Sequence, residues 1–318
     1  MTEQQKTFEL LAEKMPQLKN EIHKRIIGQE HIIHSILISL LANGHSLLIG
    51  VPGLAKTLII KTLAEALDLS FNRIQFTPDL MPSDILGNEI LDRDHRFRFI
   101  KGPVFAHIIL ADEINRTPPK TQSALLEAMQ EKRVTVAGND FELEKPFFVL
   151  ATQNPIEQEG TYPLPEAQLD RFMFSIHLDY PSMENELKIA SETTSGKKIQ
   201  INPILNRQQI LAFQNLTRNI PATPTVIRYA VELVRKTRPG TPEASEKVNK
   251  YIRYGAGPRA SQYLVLGAKA NALLNGKLAP DIEDIQAVAE NVLRHRILRN
   301  YKAEAEGISE AGIISGLL

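Results

Sequence analysis

The sequence predicts an α/β fold in which a parallel sheet lies between helices and a smaller all-helical domain follows. Short apolar runs alternate with stretches of helical periodicity as far as about residue 180, a pattern typical of a parallel sheet with helices on both faces. Two stretches of period-2 alternation interrupt it and indicate inserted β-hairpins. After Tyr180-Pro181 only helical patterns remain, which indicates a helical bundle.

The length of 318 residues favours one large and one smaller domain. We expect an N-terminal helical segment at 1–25, an α/β core at 26–190 and a helical domain at 191–318. The hydrophobic content of 43% is sufficient for ordinary cores.

Composition restricts the possible partners and compartments. Lys+Arg and Asp+Glu both number 37, so zero net charge gives no global bias toward nucleic acid or an anionic membrane. The absence of cysteine excludes disulfides and thiolate metal sites and fits a cytoplasmic location. The polar N-terminus does not resemble a signal peptide. Polar residues interrupt the apolar stretch Ile32–Val51, so we expect no membrane span.

The N-terminal region predicts helices. Phe8 to Ile26 indicates an amphipathic helix, or a helix pair broken near Pro16. Glu30 to Leu41 predicts an apolar helix that Asn43-Gly44 ends, because these residues are typical C-caps.

The strands of the sheet are predicted from short apolar runs. Ser46 to Ile49 comes first and is followed by a glycine-containing loop and a helix over Thr57–Leu67. The remaining strands are expected at Phe71–Phe76, Ile108–Ala111, Phe147–Ala151 and Met173–Leu178.

The two hairpins and the helical region complete the prediction. One hairpin pairs Glu89–Leu91 with Arg96–Ile100, and the other pairs Val134–Val136 with Phe141–Leu143 around a turn at 138–140. Ser191 to Lys198 is polar and predicts a loop. Helices are then expected at Arg207–Leu216, Thr225–Arg238, Ser261–Leu274 and Ile282–Leu298.

The loop after the first strand reads GVPGLAKT, from Gly50 to Thr57. It follows the phosphate-binding pattern G-x-x-x-x-G-K-[ST], except that Ala55 replaces the second glycine. In such a loop Lys56 contacts the β- and γ-phosphates and the Thr57 hydroxyl ligates Mg²⁺. The alternative is a simple turn before a helix. We expect Ala55 to have negative φ and to open the helix, while Gly50 and Gly53 supply the bends.

Two acids end a later strand, in the segment HIILADE. At the carboxyl end of a parallel strand Asp112 can support Mg²⁺, and Glu113 can act as the general base toward water. A solvated strand end is the alternative.

Three further polar residues are weaker candidates alone. Asn154 follows an apolar strand and could orient water, although Asn-Pro also starts turns. Arg171 follows a short helix, where Asp170-Arg171 alone indicates a surface ion pair. Arg259 begins a helix, where a cation is unfavourable unless an anion such as a nucleotide phosphate faces it.

Taken in order, these segments resemble an AAA+ ATPase, specifically the MoxR family, over most of the chain. GVPGLAKT resembles Walker A, LADEINR (Leu110–Arg116) resembles Walker B, and TPPKTQSALLEAMQE resembles the family's long helix. The remaining similar segments are Ile26–Gln29 (adenine pocket), ATQNP with Asn154 (sensor 1), LPEAQLDRF with Arg171 (arginine finger) and GPRAS with Arg259 (sensor 2).

The resemblance implies a P-loop αβα core with a helical lid, ATP and Mg²⁺ as ligands, and a homo-oligomeric ring, usually a hexamer, with ATP between subunits. It also implies chaperone-like remodelling of client proteins, which often carry a von Willebrand factor A domain. The catalytic residues would be Glu113, Asn154 and Arg171, and the metal ligands Thr57 and Asp112. The nucleotide-binding residues would be Ile27, Gly28, Gly50, Val51, Pro52, Gly53, Leu54, Ala55, Lys56, Thr57, Leu58, Asp112 and Arg259.

Two other functions stay open. In a nucleic-acid motor or loader, Arg96, Arg98 and Lys101 of the first hairpin would touch phosphates. We favour a solvated hairpin face alternating with Phe97 and Phe99, and expect no nucleic acid. A non-enzymatic nucleotide switch is the second, and the intact set of catalytic candidates argues against it.

Some residues receive no single role. Arg116 either lines a subunit interface or simply begins a helix. The histidines show no clustered spacing, so we assign no metal role to His23, His31, His34, His45, His95, His107, His177 or His295.

Overall fold

The computed structural model describes residues 3–91, 93–156, 160–194, 196 and 199–318. Its helices are α1 (Glu3–His23), α2 (Glu30–Leu41), α3 (Lys56–Ala66), α4 (Pro82–Leu86), α5 (Pro119–Glu131), α6 (Glu166–Leu169), α7 (Met183–Thr193), α8 (Arg207–Asn219), α9 (Pro224–Lys236), α10 (Glu246–Tyr251), α11 (Pro258–Leu274), α12 (Ile282–Leu293), α13 (Tyr301–Ala305) and α14 (Glu310–Ser315). Its strands are β1 (Ser46–Ile49), β2 (Phe71–Gln75), β3 (Gly87–Leu91), β4 (Phe97–Lys101), β5 (Ile108–Asp112), β6 (Arg133–Val136), β7 (Asn139–Glu142), β8 (Phe148–Gln153), β9 (Phe174–His177), β10 (Ile252–Tyr254) and β11 (Leu298–Arg299).

The five predicted strands form one parallel sheet in the order β2-β5-β8-β1-β9. The chain leaves β1, crosses to the far edge at β2, returns through β5 and β8, and then adds β9 on the other side of β1. Open parallel sheets bind ligands at the carboxyl ends of their strands, where the strand order reverses. This topology therefore directs attention to the loops after β1, β5 and β8.

The sheet separates two hydrophobic cores because successive strand residues point to opposite faces. Leu48, Leu110 and Leu150 face a core shared with α1, α2, α3 and the C-terminal helices. Leu47, Ile109 and Val149 face a second core built with α5. Both faces are covered, as expected for a parallel sheet.

The C-terminal region is helical, and α8, α9, α11 and α12 confirm the four predicted helices. The predicted end of the last one is wrong, because α12 ends at Leu293 and Leu298 lies in strand β11. The structure adds short elements that the sequence did not predict: α10, α13, α14 and the antiparallel pair β10–β11.

Helix α1 decides between the two alternatives for the N-terminal region, since it continues through Pro16 as one helix instead of breaking there. Leu11, Met15, Leu18 and Ile22 lie on one face of α1 and are buried. Each fully buried large aliphatic side chain contributes roughly 1.5–3 kcal/mol, which together exceeds the cost of about 3 kcal/mol for an interior proline.

Two local predictions also need correction. Ser191 to Thr193 belong to helix α7, whose N-cap Ser182 accepts from the Asn185 amide, and not to a loop. Residues 195, 197 and 198 of that predicted loop lie outside the described residues. In the second hairpin the turn lies at Ala137-Gly138, because both residues have the positive φ (49° and 82°) that a two-residue hairpin turn requires.

The hairpins β3–β4 and β6–β7 confirm the predicted pairing and contact each other. Phe99 stacks on Phe141 with ring centroids 4.0 Å apart. Phe97, however, is 75% exposed, and Ile90, Leu91 and Ile100 are exposed as well. The basic residues Arg96 and Arg98 are exposed, as we favoured, but of the two aromatic residues that alternate with them only Phe99 is partly covered.

Among the described residues, no helix combines the length and the apolar character needed to cross a bilayer.

Candidate active site

The loop after β1 has the backbone conformation of an anion cradle. Gly53 and Ala55 both have positive φ, 89° and 56°. Alternation of left-handed and ordinary residues turns successive N–H groups toward one side, which makes an anion-binding concavity. Helix α3 begins at Lys56 and adds the unpaired N–H groups of its first turn.

The prediction of a negative φ at Ala55 is wrong. Left-handed backbone costs a non-glycine residue about 1–2 kcal/mol, so alanine holds here the conformation for which the usual pattern has glycine. Of the two expected bends, Gly53 has positive φ, whereas Gly50 does not. A side chain at Gly50 would lie 2.9 Å from Cβ of Leu178, so glycine allows a close approach there.

Lys56 lies near both acids at the end of β5. Its Nζ donates to the Gly50 carbonyl at 2.5 Å, so the side chain curls back over the loop. Burial lowers the pKa of Lys56, and the charges of Asp112 and Glu113 oppose that change. The structure therefore brings together three of the predicted residues.

Asp112 is buried and held from two sides. The Thr152 hydroxyl donates to its Oδ1 at 2.6 Å, and Arg73 donates to its Oδ2 from Nε at 3.0 Å and Nη2 at 2.7 Å. The same Thr152 oxygen accepts from the Glu113 amide at 2.8 Å. Strand β8 thus fixes the end of its neighbour β5.

The Glu113 carboxylate points toward polar groups of β2 and of the short 3₁₀ turn Ile114–Arg116. Its Oε2 accepts from Gln75 Nε2 at 2.8 Å and lies 3.3 Å from Arg116 Nη1. Arg116 therefore lies beside the candidate base, and both interpretations of it remain open. Arg73, Gln75 and Thr152 were missed by sequence reasoning, although alternation of Arg73 and Gln75 along β2 was a usable signal.

Asn154 is buried at the end of β8, beside the loop after β1. The Gly50 amide donates to the neighbouring Gln153 carbonyl at 3.3 Å, and Asn154 Oδ1 accepts from the Ile156 amide at 3.2 Å. The side chain thus forms the turn that Asn-Pro suggests while lying on the same edge as Lys56.

The donor set at this edge fits Mg²⁺ held together with phosphate. Thr57 and Asp112 supply a hydroxyl and a carboxylate. Among the described residues, no three His, Cys, Asp or Glu side chains group as metal ligands. Mg²⁺ usually binds through one or two protein ligands, water and substrate phosphates, so a dedicated cage is not needed.

The predicted adenine segment lies under helix α7. Gly28 has a φ of 69°, and a Cβ there would collide with the side chain of Asn185. Gly28 thus lies against α7, and the neighbouring Ile27 is partly buried.

Arg171 and Arg259 lie at the other edge of the sheet. Both line a surface pocket of about 380 Å³ together with Asn43, Gly44 and His45, which directly precede β1. The Met173 amide donates to the His45 carbonyl at 2.7 Å, which aligns the starts of β9 and β1. Lys56 follows the end of β1, and a four-residue strand is about 13 Å long. The structure therefore does not bring these two arginines to Lys56.

The anion that faces Arg259 is a carboxylate of this chain. Arg259 Nη1 donates to Asp170 Oδ2 at 3.1 Å, and Arg296 Nε donates to Asp170 Oδ1 at 2.7 Å. This pairing corrects the expected Asp170-Arg171 surface ion pair, and it removes the dipole penalty at the start of α11 without a nucleotide.

Two family models match the chain. Residues 45–174 match the ATPase family associated with various cellular activities (AAA), and residues 244–316 match the AAA lid domain. The first range contains the loop after β1, both acids and Arg171, and the second contains Arg259.

Relatives and a solved structure extend the match over nearly the whole chain. An uncharacterised Bacillus subtilis protein, YeaC, is 42% identical (93% of this chain and 91% of that protein). The Mycobacterium tuberculosis chaperone MoxR1 is 42% identical (94% and 79%), and the Paracoccus denitrificans protein MoxR is 31% identical (86% and 85%). The crystal structure of a candidate ATPase from Cytophaga hutchinsonii is 46% identical, with a TM-score of 0.92 over 98% of this chain and 96% of that one.

Proposed function

Since this chain belongs to the MoxR family of AAA+ ATPases, we propose that it hydrolyses ATP to ADP and phosphate at sites shared by neighbouring subunits of a homo-oligomeric ring. One observation carries this proposal. Lys56, Asp112 and Glu113 lie at the carboxyl edge of the sheet, whereas Arg171 and Arg259 lie at the amino edge. A nucleotide on Lys56 is out of reach of the arginines of its own subunit, so a second copy must supply them.

At the carboxyl edge the chain binds the nucleotide and activates water. The N–H groups of the loop 50–57 and Lys56 hold the phosphates, and Ile27 and Gly28 border the adenine. Glu113 takes the proton of the attacking water, and Asn154 fixes the orientation of that water. Gln75 and Arg116 hold the Glu113 carboxylate in place.

Mg²⁺, held by Thr57 and supported by Asp112, would neutralise charge on the β- and γ-phosphates. Thr152 and Arg73 fix the Asp112 carboxylate, so its orientation does not depend on the metal.

At the amino edge Arg171 contacts the γ-phosphate of the nucleotide bound to the neighbouring subunit. An arginine finger in this position raises the rate of hydrolysis by roughly 10³–10⁵-fold. Arg259 shares the same pocket. We therefore propose that it too acts across the interface, on the nucleotide of a neighbouring subunit. A hexamer is the ring size that the family suggests.

The work done with ATP is proposed to be chaperone-like remodelling or activation of cytoplasmic client proteins, including von Willebrand factor A domain proteins. The exposed Ile90, Leu91, Phe97 and Ile100 of the first hairpin favour a protein over a nucleic acid. Salt-dependent DNA binding together with DNA-stimulated hydrolysis would instead favour a nucleic-acid motor.

The test of shared sites is a mixing experiment. Arg171→Ala should bind nucleotide normally and hydrolyse it about 10³–10⁵-fold more slowly, and Lys56→Ala should not bind it. Mixed together they should regain part of the activity, because each supplies what the other lacks. Arg235→Ala on α9, which removes an exposed ion pair between Arg235 and Glu243, is the matched control. Full turnover by a demonstrably monomeric sample would contradict the proposal.

A further inference from the structure

Four consecutive backbone carbonyls around Arg171 are held by side chains of the helical lid. Arg296 donates to the carbonyls of Asp170 (3.0 Å), Phe172 (2.6 Å) and Met173 (3.1 Å). The remaining carbonyl, that of Arg171 itself, accepts from the Tyr263 hydroxyl at 3.4 Å. His295 Nε2 adds a second bond to the Phe172 carbonyl at 3.1 Å.

Arg296 is the centre of this arrangement. Its side chain is only 1% exposed, although it carries a charge. Its guanidinium contacts the carboxylate of Asp170 and lies over the Tyr263 ring, with Cζ 5.1 Å from the ring centroid. Burial lowers the pKa of Arg296, and the neighbouring Asp170 opposes that change. A buried charge with this many partners is strongly held, because losing any of them leaves a polar group unpaired.

The arrangement also reaches the second arginine of the pocket. Asp170 accepts from Arg296 through Oδ1 and from Arg259 through Oδ2. One carboxylate therefore links the position of Arg259 to that of Arg296.

We propose that Arg296 is a positioning residue that sets the direction in which Arg171 and Arg259 leave the amino edge of the sheet. This inference rests on the proposed function, because it takes Arg171 to act on the nucleotide of a neighbouring subunit. It adds that the lid of each subunit fixes the arginine finger of that same subunit.

The lid packs directly on the segment that it holds. Gly267 of α11 approaches so closely that a Cβ there would lie 3.3 Å from Met173 Cε and from Phe174 Cζ. The start of β9 and the lid are therefore one packed unit. A displacement of the lid moves Arg171 with it, so the lid position in one subunit governs hydrolysis in the next.

The experiment is Arg296→Lys in the full-length chain. Lysine keeps the positive charge, but its single ammonium group replaces the planar guanidinium with its five N–H donors. It therefore cannot donate to the same set of carbonyls. We expect kcat to fall by about 10²-fold, the loss that a misplacement of roughly 1 Å produces. Binding of a non-hydrolysable ATP analogue should stay within about twofold, because the carboxyl edge is untouched. Arg294→Lys is the matched control and should leave kcat unchanged. It alters only the ion pair between Arg294, the C-cap of α12, and Glu290 in the same helix.

Mixing separates positioning from a general structural defect. Arg296→Lys subunits mixed with Lys56→Ala subunits should regain activity, since the Lys56→Ala chain still has a correctly held Arg171. Mixed with Arg171→Ala subunits they should regain none, because both then lack a working finger. Tyr263→Phe, which removes only the bond to the Arg171 carbonyl, should lower kcat in the same direction by less.

Four results would overturn the inference. Wild-type kcat for Arg296→Lys would show that the contacts of Arg296 with the carbonyls of residues 170, 172 and 173 do not affect hydrolysis. Loss of nucleotide binding, or no recovery with Lys56→Ala, would show a structural role only. If Arg171→Ala itself keeps full kcat, the shared site fails and this inference fails with it. If Arg171→Ala is inactive and Arg296→Lys is not, the inference alone fails.

Discussion

The two edges of the sheet are built in different ways. At the carboxyl edge the candidate catalytic side chains Asp112 and Glu113 lie at the end of β5, and the contacts that fix them come from β2 and β8. At the amino edge the segment with Arg171 is held by Tyr263, His295 and Arg296, which follow it by about ninety residues or more in the chain. Local sheet geometry suffices for the first edge, whereas the second requires the lid.

Because of this difference, substitutions at the two edges should abolish hydrolysis in different subunits. Damage at the carboxyl edge should disable the subunit that carries it. Damage at the amino edge should disable a neighbour, and damage to the lid should act through the amino edge. The following changes, in order of decreasing expected effect, test this separation.

Glu113→Gln should keep ATP binding and lower turnover by about 10²–10⁴-fold, because the amide cannot accept the proton from water. The measurement is phosphate release beside binding of a labelled nucleotide. Glu142→Gln on the exposed hairpin is the control. Turnover near the wild-type rate would remove Glu113 as the base and leave the carboxyl edge as a binding site alone.

His45 at the amino edge should make the fold sensitive to acid. It is buried, with Nδ1 accepting from the Val149 amide and Nε2 lying 3.2 Å from the Met129 carbonyl. Burial, followed by the charge of Lys132, lowers its pKa to about 4. The unfolded chain takes up this proton near pH 6.5 and the folded chain only near 4. The contribution of His45 to the free energy of unfolding is therefore fully present above pH 6.5. It falls, by at most about 3 kcal/mol, as the pH decreases toward 4.

The measurement is urea unfolding of wild type and His45→Gln at pH 7 and pH 5. We expect the variant to be less stable at pH 7 and to lose less stability on acidification. The buried His295, whose pKa is also well below its ordinary value, contributes in the same direction in both proteins. An unchanged pH dependence in His45→Gln would contradict the assignment to His45.

Ala55→Gly should have the smallest effect. It removes left-handed strain of about 1–2 kcal/mol and adds unfolded-chain entropy worth about 0.4–1 kcal/mol, so the free energy of unfolding should rise by between about 0 and 1.6 kcal/mol. Nucleotide affinity should not change, because the loop already has this conformation. Gly138→Ala, at another positive φ with open space around it, is the reverse control and should destabilise. A clear loss of stability in Ala55→Gly would contradict the conclusion that the backbone of Ala55 is strained.

The same contrast explains what the sequence could predict. Strand ends with their loops are local patterns, so periodicity and spacing could predict the sheet, the main lid helices and the placement of Lys56, Asp112 and Glu113 at one edge of the sheet. The conformation of Ala55 did not follow, because helix propensity favours alanine in right-handed backbone, whereas the loop requires the opposite.

The partners at the amino edge did not follow from sequence either. Arg296 looks like an ordinary charged residue at the end of a helix, and nothing in its neighbourhood along the chain indicates that it will be buried against residues 170–173. Likewise, the carboxylate facing Arg259 comes from a segment almost ninety residues earlier. Such pairs depend on how the lid docks.

Helix α1 is amphipathic, and its buried face completes the hydrophobic core. Leu11, Leu18 and Ile22 belong to the same core as α3 of the sheet layer and α8 and α11 of the lid. An expression clone that begins at the first recognisable motif, near Gly28, would expose the hydrophobic surfaces of α3, α8 and α11 that α1 covers. We expect such a product to be recovered in inclusion bodies. An affinity tag should therefore be added before Glu3, with helix α1 kept in place.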